Sequence, residues 1–193
     1  MNSVRPLLLA SNSPRRKELL AGLGLNFTVR VKEVNEDYPA HLKRAEIAEY
    51  LASHKASAYL DDLQNEALIT ADTIVCLADA VLNKPANYEE AFAMLRSLSG
   101  TSHEVITGVC ILTKESKTVF HDTTKVYFKA LSDFEIDYYI TTYKPYDKAG
   151  AYGIQEWIGM IGIERIEGSY FNVVGLPVQK LYAKLTELGI VNC

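Results

Sequence analysis

Residues 7–23 read Leu-Leu-Leu-Ala-Ser-Asn-Ser-Pro-Arg-Arg-Lys-Glu-Leu-Leu-Ala-Gly-Leu. The short apolar run Leu7–Ala10 reads as a buried strand. Ser11-Asn12-Ser13-Pro14 breaks it. From Arg15 to Leu23 the pattern is helical, with Leu19, Leu20 and Leu23 on one face. Ser13 suits the N-cap, where its hydroxyl can accept from a free backbone N–H, and Pro14 suits the first helical position. Gly24 can end the helix. A strand feeding a helix through a tight polar turn is a building unit of an α/β sheet protein.

Outward from this unit, Phe27–Val31 alternates like a strand. Residues 46–60 predict a helix with Ile47, Leu51 and Ala58 among its inward positions. Residues 68–77 contain a buried strand, Leu68-Ile69-Thr70-Ala71, running into Asp72-Thr73-Ile74-Val75. A helix follows over 88–98, capped by Asn87, with Ala91, Phe92, Met94 and Leu95 as its apolar side. Residues 103–112 and 117–128 read as a hairpin turned at Lys114-Glu115-Ser116. Ser132 caps a helix over 133–142. Glycines 150, 153, 159 and 162 make 150–162 read as a loop. A strand over 163–166 and a helix over 177–188, ended by Gly189, complete the chain. The order mixes strands and helices without strict alternation, so a mixed sheet flanked by helices fits best. No internal repeat, low-complexity linker or clear boundary interrupts 1–193, which reads as one domain.

The chain has 193 residues, 48% apolar and 23% charged, with a net charge of -4. That length can bury a full core without staples. A general nucleic-acid binder would carry a basic excess or stripe, and none is visible. Any anionic ligand must be held by a local basic cluster. The three cysteines, Cys76, Cys110 and Cys193, are scattered and form no CxxC pair. This predicts a reducing, cytoplasmic setting, with Cys76 and Cys110 as buried thiols and Cys193 exposed. The run at Leu7–Ala10 is too short for a secretory core or a membrane span. The four histidines lack zinc-ligand spacing.

Four segments can carry chemistry. In Ser11-Asn12-Ser13-Pro14-Arg15-Arg16, free N–H groups at a helix start favour an anion. Two arginines there oppose the helix dipole, and a phosphate would offset them through bidentate hydrogen bonds. The plain alternative is a capped helix with surface arginines. Asp72 closes an apolar strand, where carboxylates of α/β sheets face ligand crevices, and oxygen ligands suit magnesium; the alternative is a turn aspartate. In Asn83-Lys84-Pro85 the lysine can reach phosphate oxygens, or the segment is a surface turn. In 147–155, small residues permit close backbone approach, and Gln155 offers a donor and an acceptor for a base edge. The alternative is a structural loop. No GxxxxGK[ST] occurs, and no GxGxxG follows a strand.

Five stretches, LLLASNSPRRKELL, ITADTIVCLADAVLNKP, EAFAMLRSLSGTSHEVITGV, YDKAGAYGIQ and IEGSYFNVVGLPVQKL, stand in this order along nearly the whole chain. Together they resemble the Maf family of nucleotide pyrophosphatases, also called septum-formation inhibitor homologues. The resemblance implies a two-lobed Maf/ITPase-like α/β fold with a central mixed sheet and a deep cleft. It implies Mg²⁺-dependent hydrolysis of a nucleoside triphosphate between the α- and β-phosphates, and a homodimer. Carried over position by position, Ser13, Arg15 and Arg16 would bind phosphate, Glu36 would help hold metal, and Lys55 matches the basic position of the second helix. Asp72 would be metal ligand, base or both. Lys84 would hold triphosphate and Gln155 would lie near the nucleotide. Arg15 after Ser-Pro resembles the branch acting on dTTP and UTP, whereas the 7-methyl-GTP branch tends to carry Trp there. Three departures stand out. Lys144 replaces the family's usual Glu, Asn83 replaces a Gly whose left-handed conformation Asn can share, and Asn35 replaces the Asp of the usual Asp-Glu pair. The competing readings are a 7-methyl-GTP or non-standard purine triphosphate pyrophosphatase, action on modified pyrimidine nucleotides, and a non-catalytic nucleotide-binding regulator of septum formation.

Overall fold

The structure is a computed structural model that describes residues 3–192; the expectation for Cys193 lies outside the described residues. Strand β1 (Leu7–Leu9) is fully buried and leads into helix α1 (Pro14–Gly22). Ser13 caps α1 in an extended conformation, with Pro14 starting the first turn. The deciding stretch therefore folds as read. After β2 (Phe27–Val29), helix α2 (Ala45–Ser57) turns Ile47 and Leu51 inward. Ala58 is exposed, contrary to expectation, because α2 stops at Ser57 and the chain turns there. Tyr59 enters the interior instead, its hydroxyl donating to Arg30 O at 2.9 Å and accepting from Lys32 N at 2.7 Å.

Strand β3 (Ala67–Leu77) is longer than the apolar run that announced it. Thr73, Ile74 and Val75 are β-branched and sustain the extended backbone beyond Asp72. The short β4 (Ala80–Leu82) pairs back on β3 in antiparallel register, Val75 opposite Leu82. Helix α3 (Tyr88–Leu98) starts at its Asn87 cap. Strands β5 (Ser102–Leu112) and β6 (Lys117–Phe128) are joined by a turn closed by Thr113 N donating to Ser116 O at 2.8 Å. Helix α4 (Asp133–Tyr143) carries a full capping box from Ser132 and Glu135.

The stretch read as a loop holds a 3-10 turn at Ala149–Ala151 and helix α5 (Trp157–Gly162). Its glycines serve packing rather than flexibility: a Cβ on Gly159 would stand 1.9 Å from Ile154 O. Strand β7 (Ile163–Glu167), helix α6 (Tyr170–Val174) and helix α7 (Val178–Glu187) follow.

Among the described residues, seven strands form one mixed sheet in the order β2-β1-β3-β5-β6-β7, with β4 on β3. β1 pairs in parallel with β2 and β3, and β6 pairs antiparallel with β7. The chain divides into two compact units. One comprises Met1–Asp72, Thr107–Asp122 and Gly175–Cys193, the other Thr73–Ile106 and Thr123–Val174.

In the first unit, Leu7, Leu9, Leu20, Ile69, Val109, Ile111, Leu181 and Leu185 share one core, and Leu8, Leu68, Tyr59, Leu63 and Cys110 another. Gly108 lets α2 lie hard against β5, since a Cβ there would meet Ala48 O at 2.2 Å. The second unit packs Leu95, Leu98, Val126, Phe128, Ile136, Tyr139, Tyr152 and Ile158 together. Burying each large apolar side chain contributes about 1.5–3 kcal/mol. Cys76 and Cys110 are buried thiols, and burial pushes Cys110 up to about 11. No helix among the described residues is long and apolar enough to cross a membrane.

Candidate active site

The first unit holds six of the eight candidate residues. At the start of α1, the Ser13 hydroxyl accepts from Arg16 N at 3.4 Å, and Ser13 N donates to the hydroxyl of buried Ser11 at 3.2 Å. Arg15 and Arg16 are half-buried. Arg16 Nε donates to Gly175 O at 2.8 Å, which fixes the guanidinium at the helix start. Burial pushes its pKa down, Asp72 and Glu36 pull it up, and neighbouring Arg15 pushes it down. Arginine keeps its charge through such shifts. The same interactions place Arg15, Asp72 and Glu36 each within electrostatic reach of Arg16.

Lys55 stands in the last turn of α2, where a cation suits the helix dipole. Its ammonium bridges two carboxylates, Glu36 Oε1 at 2.8 Å and Asp72 Oδ1 at 2.5 Å. The Asp72 side chain is 13% exposed and Glu36 51%. Asp72 sits within β3, five residues before its end at Leu77, and not at a strand terminus as the sequence implied. The two carboxylates already converge on one positive charge. Among the described residues no group of three or more His, Cys, Asp or Glu side chains surrounds a common metal position. An oxygen pair of this kind fits a hard cation such as Mg²⁺, which keeps water ligands and takes others from substrate phosphates.

Lys84 and Gln155 belong to the second unit, and both are exposed. Their segments meet there: Gly150 N donates to Asn83 O at 3.2 Å. Asn83 does not adopt the left-handed conformation expected of it. The non-glycine residues with positive φ among those described are Arg44, Ala78, Lys144 and Ala151. Pro85, buried next to Lys84, anchors the turn. Lys144, the charge-reversed position, is the left-handed C-cap of α4, with its N–H donating to Ile140 O.

Beside Gln155 lies a group that sequence reasoning did not single out. Buried Lys148 pairs with Asp147 Oδ1 at 2.8 Å and Glu156 Oε1 at 3.0 Å. The Tyr139 hydroxyl donates to Glu156 Oε2 and accepts from Gly153 N at 3.0 Å. Burial, then the Glu156 carboxylate, pushes the Tyr139 pKa up, so the phenol stays protonated. No spacing rule joins residues 139, 148 and 156; their presence within and beside the YDKAGAYGIQ stretch is the one sequence signal.

The sequence pattern of the Maf-like protein family matches residues 6–188. The chain belongs to the Maf-like family. A relative from Parabacteroides distasonis, named a dTTP/UTP pyrophosphatase, is 56% identical over 181 residues, covering 93% of this chain and 94% of its own. Another of the same name from Bacteroides thetaiotaomicron is 55% identical over 184 residues, covering 94% and 95%. Among solved structures, the Ham1 protein of Staphylococcus aureus is similar in fold, with a TM-score of 0.55 at 16% identity over 95% of this chain and 100% of that one. This Maf-like chain therefore shares the mixed α/β architecture of Ham1. Its candidate residues fall into two groups: Ser13, Arg15, Arg16, Glu36, Lys55 and Asp72 in the first unit, and Lys84 and Gln155 in the second.

Proposed function

We propose that this chain is a nucleoside triphosphate pyrophosphatase that hydrolyses dTTP and UTP to the monophosphate and pyrophosphate. The observation that carries the reading is the Glu36–Lys55–Asp72 contact group, whose two carboxylates lie within electrostatic reach of Arg16. It is supported by relatives of that name at more than half identity along nearly the whole chain.

A triphosphate concentrates negative charge. Ser13, Arg15 and Arg16 receive it at the start of α1, where N–H groups, dipole and guanidinium donors act together. Lys55 and Lys84 add point charges that offset the charge on the leaving pyrophosphate. Glu36 and Asp72 would hold Mg²⁺, which supplies Lewis-acid neutralisation of phosphoryl oxygens when bound. Asp72, held by Lys55 in a mostly buried position, orients water and accepts its proton. Gln155 lies beside the base, presenting an amide donor and acceptor. The buried thiols of Cys76 and Cys110 suit a cytoplasmic enzyme.

The test is pyrophosphate release from dTTP, UTP, CTP, 7-methyl-GTP and ITP, with Mg²⁺ and with chelator. Metal-dependent release favouring dTTP and UTP is expected. Release favouring 7-methyl-GTP or ITP would move the substrate to the other branch. Silence across the panel from folded, nucleotide-binding protein would make the chain a binding module and overturn the proposal.

A further inference from the structure

Gln155 is exposed, yet its neighbours are among the most constrained residues of the second unit. Ile154 before it is buried. Glu156 after it is tied to Gly153 twice. Its N–H donates to Gly153 O at 3.0 Å, and its side chain reaches back to Gly153 N through the Tyr139 hydroxyl. The Glu156 carbonyl accepts from Gly159 N at 2.9 Å and Met160 N at 3.3 Å, which starts α5. The side chains of Lys148 and Glu156 are only 9% and 20% exposed.

We infer that Glu156, clamped between Lys148 and Tyr139, is a positioning residue that fixes the Gly153–Gln155 turn and thereby the base preference Gln155 exerts. This rests on the reading of Gln155 as the group beside the base. The chemistry asks for a carboxylate. Glu156 accepts from a phenol at one oxygen and from an ammonium at the other, and an amide would have to turn its NH₂ toward one of these donors. The turn asks for rigidity. An amide distinguishes the 4-keto edge of thymine or uracil from the 4-amino edge of cytosine only if its donor and acceptor stay in fixed places. A solvated side chain on a loose turn would accommodate both. The relay Gly153 N–H to Tyr139 OH to Glu156, with Lys148 neutralising the carboxylate, supplies that order from the buried side, while Gln155 remains available to the ligand.

The experiment compares kcat and KM for dTTP and dCTP in the full-length wild type, Gln155→Ala, Glu156→Gln, Tyr139→Phe and the double variant Gln155→Ala/Glu156→Gln, each checked for folding by thermal unfolding. The expected result is that Glu156→Gln and Tyr139→Phe lower the dTTP preference about tenfold, through KM for dTTP with kcat nearly unchanged. The double variant should match Gln155→Ala alone, because both changes act through one side chain. A merely structural role would lower activity toward both nucleotides together and would add to Gln155→Ala, and either pattern overturns the inference. Folded Glu156→Gln and Tyr139→Phe that keep the preference, beside a Gln155→Ala that loses it, overturn the positioning role alone. A Gln155→Ala that keeps the preference overturns the reading of Gln155 and the inference with it. If Glu156→Gln does not fold, Tyr139→Phe decides the matter, since it removes the one hydroxyl linking Gly153 to the carboxylate.

Discussion

The two groups of candidate residues are built on opposite terms. In the first unit, ions meet ions: the Lys55 ammonium touches two carboxylates, and Arg16 stands within their field. Glu36 is half exposed. In the second unit, ions are buried and relayed through neutral groups: Lys148 to Glu156, Glu156 to the Tyr139 phenol, the phenol to a backbone N–H. The difference matches what each would receive. A triphosphate and its metal bring charge of their own, so a cluster of unlike charges can stand ready to exchange partners with them. A nucleobase offers only directional hydrogen bonds, so the protein must fix the direction itself.

The harshest test of this contrast is Asp72→Asn. The amide keeps the side chain's shape but removes its charge and its capacity to accept a proton, so turnover should fall about 10³-fold. Stability should change far less, by about 1 kcal/mol, because Glu36 still pairs with Lys55. Initial-rate assays beside thermal unfolding read both quantities. Near-wild-type turnover from the folded variant would remove Asp72 from the chemistry and leave the first group as a binding cluster.

The buried polar style of the second unit should show in acid. His103 lies among Phe128 and Tyr152, its Nε2 2.7 Å from the Tyr152 hydroxyl, and burial pushes its pKa down from 6.5 to about 4. The unfolded chain therefore takes up the proton first as pH falls. Between pH 6.5 and 4 the unfolded state binds more protons, and stability declines as the solution is acidified through that window. From pH 7 to pH 5 this group should withdraw about 2 kcal/mol. Urea unfolding at the two pH values measures the loss, and a folded His103→Gln variant should lack this component. An unchanged difference in that variant would assign the acid sensitivity elsewhere.

The parts that the sequence made legible were those governed by local rules. The Ser13-Pro14 start, the Asn87 cap and the Ser132 cap each mark a helix through contacts within four residues, and α1, α3 and α4 begin where those signals stand. Strand β4 was missed because three residues become a strand only by pairing with β3. Helix α5 was missed because Gly159 reads locally as a breaker, whereas the reason for a glycine there is the carbonyl of Ile154. The same limit hid Glu156. Its partners lie 8 and 17 residues away on other segments, and no periodicity announces them. Asp72 was picked out for its chemistry, but its location at a strand end was wrong, since β-branched residues carry the strand onward.

The smallest expected effect is also the closest comparison, because it sets one serine cap from each unit side by side. Ser13 and Ser132 both accept from a backbone N–H of the first helical turn, at 3.4 and 3.2 Å. Ser132 also donates its own N–H to Glu135 Oε2 at 2.8 Å, and Glu135 is held by Lys129 at 2.6 Å, so its cap is complete within the protein. Ser13 has two arginines in the turn it caps and no acid there to match. Replacing either serine by alanine should cost about 1 kcal/mol of stability at most. Ser13→Ala should cost less of this, its bond being longer, yet raise KM for dTTP about fivefold, since of the two caps it alone frames the N–H groups proposed to receive phosphate. Ser132→Ala should leave KM where it was. Equal KM values in both variants would reduce the start of α1 to a capped helix with surface arginines and remove it from the proposed phosphate site.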